Sequence, residues 1–293
     1  MLDFRNPEVR KYCRDVVDRL INDYGVEYFK VDYNVTMGYG SDLNSDSCAD
    51  AIREHYECLH QWYEEIFRDH PELVVENCGS GGQRMDYGML KILSLQSIKD
   101  ATQEEVPEVE QVTVEKDQVS SSTPWNNSTT NIAANVASAV TPEQGGMWVY
   151  PYEDEEEHVI YNVVNGMLLR PYISGMVWKL GENSMNRMKE GISLYKEIRE
   201  EVRDGVPFFP LGFGTLKSEV LAYGVKAEKN TYLSVWTPRT TEAVIPLENA
   251  EQIRRVSVIY PKEEMCGYKI ENGNLVVKMP QEKAARLFKI EMK

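Results

Sequence analysis

From Asn6 to Asp100 the chain alternates helical and extended segments, and each extended segment runs into polar residues able to do chemistry. No other feature of the sequence constrains the fold as tightly. Asn6 can cap a helix, Pro7 suits its first position, and Glu8 complements the positive end of the helix dipole. Val9, Tyr12, Cys13, Val16, Val17, Leu20 and Ile21 then recur at helical spacing until Gly25 stops the helix. A strand over 26–31 ends in Asp32-Tyr33-Asn34. The next helix spans 47–69, with Ile52, Tyr56, Leu59, Trp62, Tyr63 and Ile66 on its buried face and Pro71 at its end. A second strand over 73–76 enters Cys78-Gly79-Ser80-Gly81-Gly82. A short helical piece over 87–92 leads to a third strand near 95–99, followed by Asp100. This order predicts parallel strands joined by crossover helices. In such a sheet the chemistry gathers at the carboxyl ends of the strands. Asp32 and Asn34, Asn77 and Cys78, and Asp100 and Thr102 fit that rule.

After Thr102 the chain is acidic and loop-like to about Ser128. A helix is expected over 131–140, a strand over 147–150, and helices over 155–168 and 184–201. About five parallel strands precede Gly205 on this reading. The character then changes. VLAYGVKA, TYLSVWT, TEAVIPL, RVSVIYP, NLVVKMP and ARLFKIEMK are short β-prone runs split by turn residues, and Asn272-Gly273-Asn274 suits a hairpin turn. These runs predict a small antiparallel sandwich. The boundary falls near Val206, where Pro207 and Pro210 interrupt the preceding helix, giving domains over 1–205 and 206–293.

Composition removes several functions. The net charge is −15, and no basic face is available to neutralise phosphates, which excludes nucleic acid as a partner. The five cysteines are odd in number, widely spaced and free of any CxxC pair, which argues against a disulfide framework and a zinc site. The four histidines include no HExxH and read as surface or packing residues, so neither a metal nor a cofactor is expected. No stretch approaches the roughly 20 apolar residues of a membrane span. The amino terminus lacks a basic segment followed by an apolar run, which points to the cytoplasm. The acidic run Glu153–Glu157 is either a cation site or a solvated helix start, and the helix dipole favours the second.

Cleaving a glycoside with retention takes two carboxyl groups about 5–5.5 Å apart, one a nucleophile and the other an acid that later serves as a base. Asp32 and Asp100 meet that need if their strands are near neighbours. An aspartate at a strand end is equally at home as a helix cap or turn former. Lys30 lies two residues before Asp32, on the same side of the strand, where an ammonium keeps a carboxylate ionised or forms a structural ion pair. Asn34 shares that face and serves either a hydroxyl or the turn. Without side chains, Gly81 and Gly82 allow a close backbone approach to a ligand or simply a tight turn.

Tyr28-Phe29-Lys30-Val31-Asp32-Tyr33-Asn34 resembles the nucleophile motif of the melibiase family of α-galactosidases, glycoside hydrolase family 36. The stretch from Glu76 to Leu90, ENCGSGGQRMDYGML, resembles that family's cysteine- and glycine-rich sugar loop, and Asp100 stands at the acid/base offset ten residues past Leu90. Thr141–Trp148 and Arg170–Gly175 also resemble family landmarks. The resemblance implies a retaining enzyme acting on terminal α-galactosides, with Asp32 as nucleophile and Asp100 as acid/base. It further implies substrate contacts from Lys30, Asn34, Cys78, Gly81 and Gly82. Arg84 and Asp86 either brace the loop as an ion pair or touch substrate, and their opposite charges favour the brace. Val31, Val35 and Gln103 depart from the family pattern. A complete barrel has eight strands. The implied fold class is therefore α/β: a partial (β/α)8 barrel of about strands 4–8, then the β-sandwich. A chain lacking the first strands is expected to need a homo-oligomer or a separately supplied amino-terminal half. An α-N-acetylgalactosaminidase, a galactosyl-transferring relative and a non-catalytic sugar-binding relative are the competing readings.

Overall fold

The computed structural model describes residues 2–34, 40–99, 127–151, 153–175, 177–263 and 265–293. The chain divides into two compact units, Met1–Ile98 and Lys99–Lys293.

The first unit builds three parallel strands beneath three helices. Helix α1 (Pro7–Tyr24) starts where the Asn6 side chain accepts from the Glu8 N–H at 3.0 Å and stops at left-handed Gly25, φ 68°. Strand β1 (Tyr28–Asp32) follows, then α2 (Cys48–Asp69), capped by the Ser47 hydroxyl accepting from the Asp50 N–H at 3.1 Å. Strand β2 (Val74–Cys78), helix α3 (Tyr87–Ile92) and strand β3 (Leu95–Ser97) complete the unit. Strand β1 pairs with β2 from Tyr28↔Val74 to Asp32↔Cys78, and β2 pairs with β3 through Glu76↔Leu95 and Asn77↔Gln96, all parallel. Leu59, Trp62, Tyr63, Ile66, Val75, Met89 and Leu93 form the core, and Cys13, Val17, Ile21 and Phe29 pack against it. Helix α1 is an outer layer: none of its residues is fully buried, and Tyr12 is exposed. Ile52 and Tyr56 are only half-buried.

Phe29 and Val75 belong to that core, so strand alternation puts Tyr28, Lys30 and Asp32 of β1 with Glu76 and Cys78 of β2 on the opposite face. The period of two thus assigns one face to packing and turns these polar side chains to the other.

The second unit opens with α4 (Asn127–Asn135), which starts before the predicted 131–140 and tightens into a 3-10 turn at Val136–Ser138. Strand β4 (Gly145–Val149), helix α5 (Glu156–Met167) and strand β5 (Arg170–Ile173) form a parallel crossover paired from Gly146↔Arg170 to Val149↔Ile173. Helix α6 (Glu182–Arg203) leads into β6 (Val206–Phe208), β7 (Leu221–Lys226), β8 (Thr231–Thr237), β9 (Glu242–Pro246), β10 (Ile253–Tyr260), β11 (Gly267–Glu271), β12 (Asn274–Lys278) and β13 (Ala284–Met292). These make two antiparallel sheets, β10-β13-β8-β7-β6 and β11-β12-β9. One apolar cluster draws on both, including Leu233, Val235 and Phe288 from one sheet and Ile245, Leu275 and Val277 from the other. Asn272 and Gly273, at φ 51° and 78°, turn β11 into β12 as the sequence predicts. Strands β6 and β11 were not among the predicted runs. Pro207 is accommodated because β6 lies at a sheet edge.

The acidic run does begin α5, but it is not solvated throughout. Glu157 is buried against Arg286 of β13 in a bidentate pair, Nη2 to Oε1 at 2.8 Å and Nη1 to Oε2 at 3.0 Å. The guanidinium also donates to the carbonyls of Ala285 and Met265, at 2.7 and 2.9 Å. All five cysteines are free thiols.

Removing one partner of a buried, fully hydrogen-bonded pair strands the other charge. Arg286→Met is therefore expected to destabilise the protein by about 3–5 kcal/mol, and adding Glu157→Leu to recover most of that, as denaturant midpoints would show. His158 on α5 is 1 % exposed, and burial pushes its pKa down to about 4. The unfolded state then holds the extra proton, so the stabilisation is complete above the ordinary histidine pKa of about 6.5 and is lost as pH falls toward 4. His158→Gln should flatten the decline in melting temperature over that window.

Candidate active site

Asp32 is the last residue of β1 and is exposed, directly in register with Cys78, the last residue of β2. The Tyr33 N–H donates to the Cys78 carbonyl at 3.0 Å, which holds the two strand ends together. Asn34 then clasps the glycine loop: its Oδ1 accepts from the Ser80 N–H at 2.6 Å and the Ser80 hydroxyl at 3.1 Å. The oxygen of Asn34 is thus committed to the loop, leaving its amide N–H groups to meet a hydroxyl.

The loop is tightly wound. Gly79 N–H donates to Gly81 O at 3.0 Å, Gln83 N–H donates to Gly79 O at 3.1 Å, and Ser80 and Gly81 both take positive φ, 44° and 80°. A Cβ on Gly79 would lie 2.7 Å from Arg84 Cγ and 3.2 Å from the Tyr33 carbonyl oxygen; one on Gly82 would lie 3.1 Å from the Ile98 carbonyl oxygen. Glycine is needed here for close backbone approach. Among the described residues, neither the Gly81 nor the Gly82 N–H has an acceptor.

Arg84 does brace this loop. Its Nε donates to the Tyr33 carbonyl at 2.7 Å, its Nη1 donates to the Tyr56 hydroxyl at 2.8 Å, and the guanidinium stacks 3.8 Å over the Tyr33 ring. Burial pushes the Tyr33 phenol up, and Arg84 opposes the shift. Asp86 instead caps α3, accepting from the Met89 N–H at 3.0 Å. Asn77 differs from the sequence reading too. Alternation turns it toward the packing face, where its Nδ2 donates to Gln96 Oε1 at 2.7 Å and to the Arg84 carbonyl at 2.9 Å.

Lys30 meets a carboxylate that the sequence reading did not single out. It stands in register with Glu76, Nζ to Oε1 at 3.7 Å, and the Tyr28 hydroxyl donates to the other Glu76 oxygen. Register explains the pairing: adjacent strands lie about 4.8 Å apart, whereas Asp32 is two residues or roughly 6.6 Å along the same strand. Glu76 is 2 % exposed and Cys78 is fully buried. The signal for Glu76 was present, since it precedes Cys78 by two and must share its face. Asp100 lies outside the described residues, as do Val35, Thr102, Gln103 and most of the acidic loop. Among the described residues no group of three or more His, Cys, Asp or Glu is arranged to hold a metal ion, and no helix is long and apolar enough to cross a membrane.

A family model described as Melibiase matches residues 1–150. No curated protein matches the chain. Solved structures do. A variant of the GH36 α-galactosidase AgaA from Geobacillus stearothermophilus, in complex with raffinose, is 15 % identical with a TM-score of 0.73, over 99 % of this chain and 39 % of that one. The galactosidase domain of the α-galactosidase-sucrose kinase AgaSK is 17 % identical with a TM-score of 0.74, over 99 % and 38 %. The α-galactosidase from Lactobacillus brevis is 15 % identical with a TM-score of 0.73, over 99 % and 39 %. The fold is shared, and the chain spans about 39 % of the length of these relatives.

The clasp between Asn34 and Ser80 can be tested directly. Asn34→Ala should speed hydrogen exchange of the Ser80 amide by about 3–10-fold, the worth of one hydrogen bond, whereas Asn34→Asp, which keeps an acceptor oxygen, should leave it near wild type.

Proposed function

Because the chain belongs to the Melibiase family, we propose that it carries the nucleophile and acid/base of a retaining glycoside hydrolase that cleaves terminal α-galactosides. One observation carries this reading. Asp32 stands at the carboxyl end of a parallel strand, in register with the start of a glycine loop that Asn34 ties to the same strand end. Carboxyl strand ends are where barrel enzymes place their chemistry. On this reading residues 1–205 are the carboxyl-terminal part of a (β/α)8 barrel and 206–293 a β-sandwich domain, and the active form has the remaining barrel strands in place.

In the proposed reaction Asp32 attacks the anomeric carbon as the bond to the leaving oxygen breaks, and Asp100 gives that oxygen its proton. A covalent galactosyl-enzyme results. Asp100, now a carboxylate, takes a proton from water as the water attacks the same carbon, and Asp32 leaves. Two displacements return the original configuration. Lys30 offers ammonium N–H groups, Asn34 its amide N–H groups, and Gly81 and Gly82 their unaccepted backbone N–H groups to the sugar hydroxyls, with Cys78 fixing where the loop begins. Substrate size is suggested by the relatives: AgaA variants are described in complex with raffinose and with stachyose.

The test uses the full natural polypeptide and two substrates, a nitrophenyl α-galactoside and an α-galactosyl oligosaccharide. Asp32→Ala should lower kcat on both by about 10⁴-fold or more. Asp100→Ala should slow the oligosaccharide by about 10²–10⁴-fold and the nitrophenyl substrate far less, because only the poor leaving group needs a proton. Equal losses on both substrates would remove Asp100 from the acid role. Galactose binding by the wild type without turnover would favour a sugar-binding protein instead.

A further inference from the structure

We propose that Arg84 is a positioning residue for Asp32: held in place by Tyr56, it fixes the residue that follows Asp32 and so sets where the carboxylate points. The inference rests on the reading of Asp32 as nucleophile. Asp32 is exposed, and among the described residues none hydrogen-bonds or ion-pairs with its carboxylate. Its aim therefore depends on the backbone that carries it. Regular strand pairing ends at Asp32↔Cys78, so the backbone just beyond must be held by other means.

Tyr33 is gripped through both its backbone and its ring. Its N–H donates to the Cys78 carbonyl at 3.0 Å, its carbonyl accepts from Arg84 Nε at 2.7 Å, and its ring centroid lies 3.8 Å from the guanidinium. Arg84 supplies the last two of these contacts. A planar guanidinium can donate from its edge while covering a ring with its face, and a lysine ammonium cannot do both. Arg84 is in turn held by the elements around it. Its Nη1 donates to the hydroxyl of Tyr56 on α2 at 2.8 Å, and its backbone carbonyl accepts from Asn77 Nδ2 on β2 at 2.9 Å. Gly79 leaves room for its stem, since a Cβ there would lie 2.7 Å from Arg84 Cγ. A line of contacts thus runs from Tyr56 through Arg84 and Tyr33 to the end of β1. Misplacing a reacting group by about 1 Å costs on the order of 10²-fold in rate, so breaking this line should act on the chemical step. The alternative is a brace that stabilises the loop and leaves the chemistry alone.

A double-mutant cycle on the full natural polypeptide separates the two, read on a nitrophenyl α-galactoside and an α-galactosyl oligosaccharide. Arg84→Met should lower kcat per active site by about 10²-fold on both substrates alike, with KM changed less than about threefold, because the nucleophile serves both. Tyr56→Phe removes the hydroxyl and leaves Arg84 in place, and it should lower kcat by about three- to tenfold. In the Arg84→Met background, Tyr56→Phe should add no more than about twofold, because its effect acts through Arg84. Equal effects in both backgrounds, or a lower melting temperature with kcat per active site unmoved, would overturn the proposal in favour of a brace. A raised KM with kcat kept would overturn it in favour of a direct substrate contact. Should Arg84→Met not fold, Tyr56→Phe decides, and an unchanged kcat in that folded variant would overturn the proposal equally. A wild type that binds galactose without turnover would sink the hydrolase reading alone. The hold on the strand end is then read from hydrogen exchange at the Tyr33 amide. Arg84→Met should speed that exchange by about tenfold and Tyr56→Phe by about threefold, and unchanged exchange would overturn the proposal.

Discussion

The parallel register of β1 and β2 is the constraint on which the rest of the site depends. It sets Lys30 beside Glu76 and Asp32 beside Cys78 in one alignment. A slip of β1 by one residue would exchange its two faces, sending Phe29 out of the core and Lys30 and Asp32 into it. The apolar residues prevent that slip. Phe29 and Val75 are fixed beneath Trp62, Ile66 and Leu93, so the polar residues between them have only the opposite face to occupy. The packing side of the sheet thereby determines the geometry of the side proposed to do chemistry.

From that register the loop follows. Cys78 ends β2 where Asp32 ends β1, and the chain turns at once through Ser80 and Gly81 in the left-handed region. The turn is held from both flanks. Asn34 grips Ser80, while Arg84 reaches back to the Tyr33 carbonyl and across to the Tyr56 hydroxyl on α2. Three segments far apart in sequence are therefore tied to one another at the carboxyl end of the sheet. What presents Asp32 is this network rather than any single contact.

Among the described residues, two ion pairs that each bury a glutamate contrast in form. Glu157 and Arg286 meet in a bidentate pair with two further carbonyls satisfied, the geometry that offsets the cost of removing charges from water. Lys30 and Glu76 sit at 3.7 Å, with the lysine about one-third exposed. The first pair joins a helix to a sheet and leaves nothing to offer a ligand. The second is a longer, partly exposed contact and lies two residues from the proposed nucleophile.

Local chemistry was legible in the sequence wherever a residue acts on its own neighbours. Asn6, Ser47 and Gly25 mark helix ends because capping and left-handed turns involve atoms only a few residues away. Asn272-Gly273 marks its hairpin for the same reason. The order of strands and helices, the Melibiase motifs and the position of Asp32 at a strand end were likewise written in the chain. The short strands β6 and β11 were not, because a three-residue edge or a weakly apolar run is a strand only when a partner supplies its hydrogen bonds. The structure also decided that Lys30 pairs across to Glu76, that Arg84 binds a carbonyl and a tyrosine, and that Glu157 is buried on Arg286. Each of those partners lies either on another strand or helix or within hydrogen-bonding reach only after folding. Sequence by itself determines which face of a strand a residue takes; which charge stands opposite it depends on register, and register is set by the packing of the whole core.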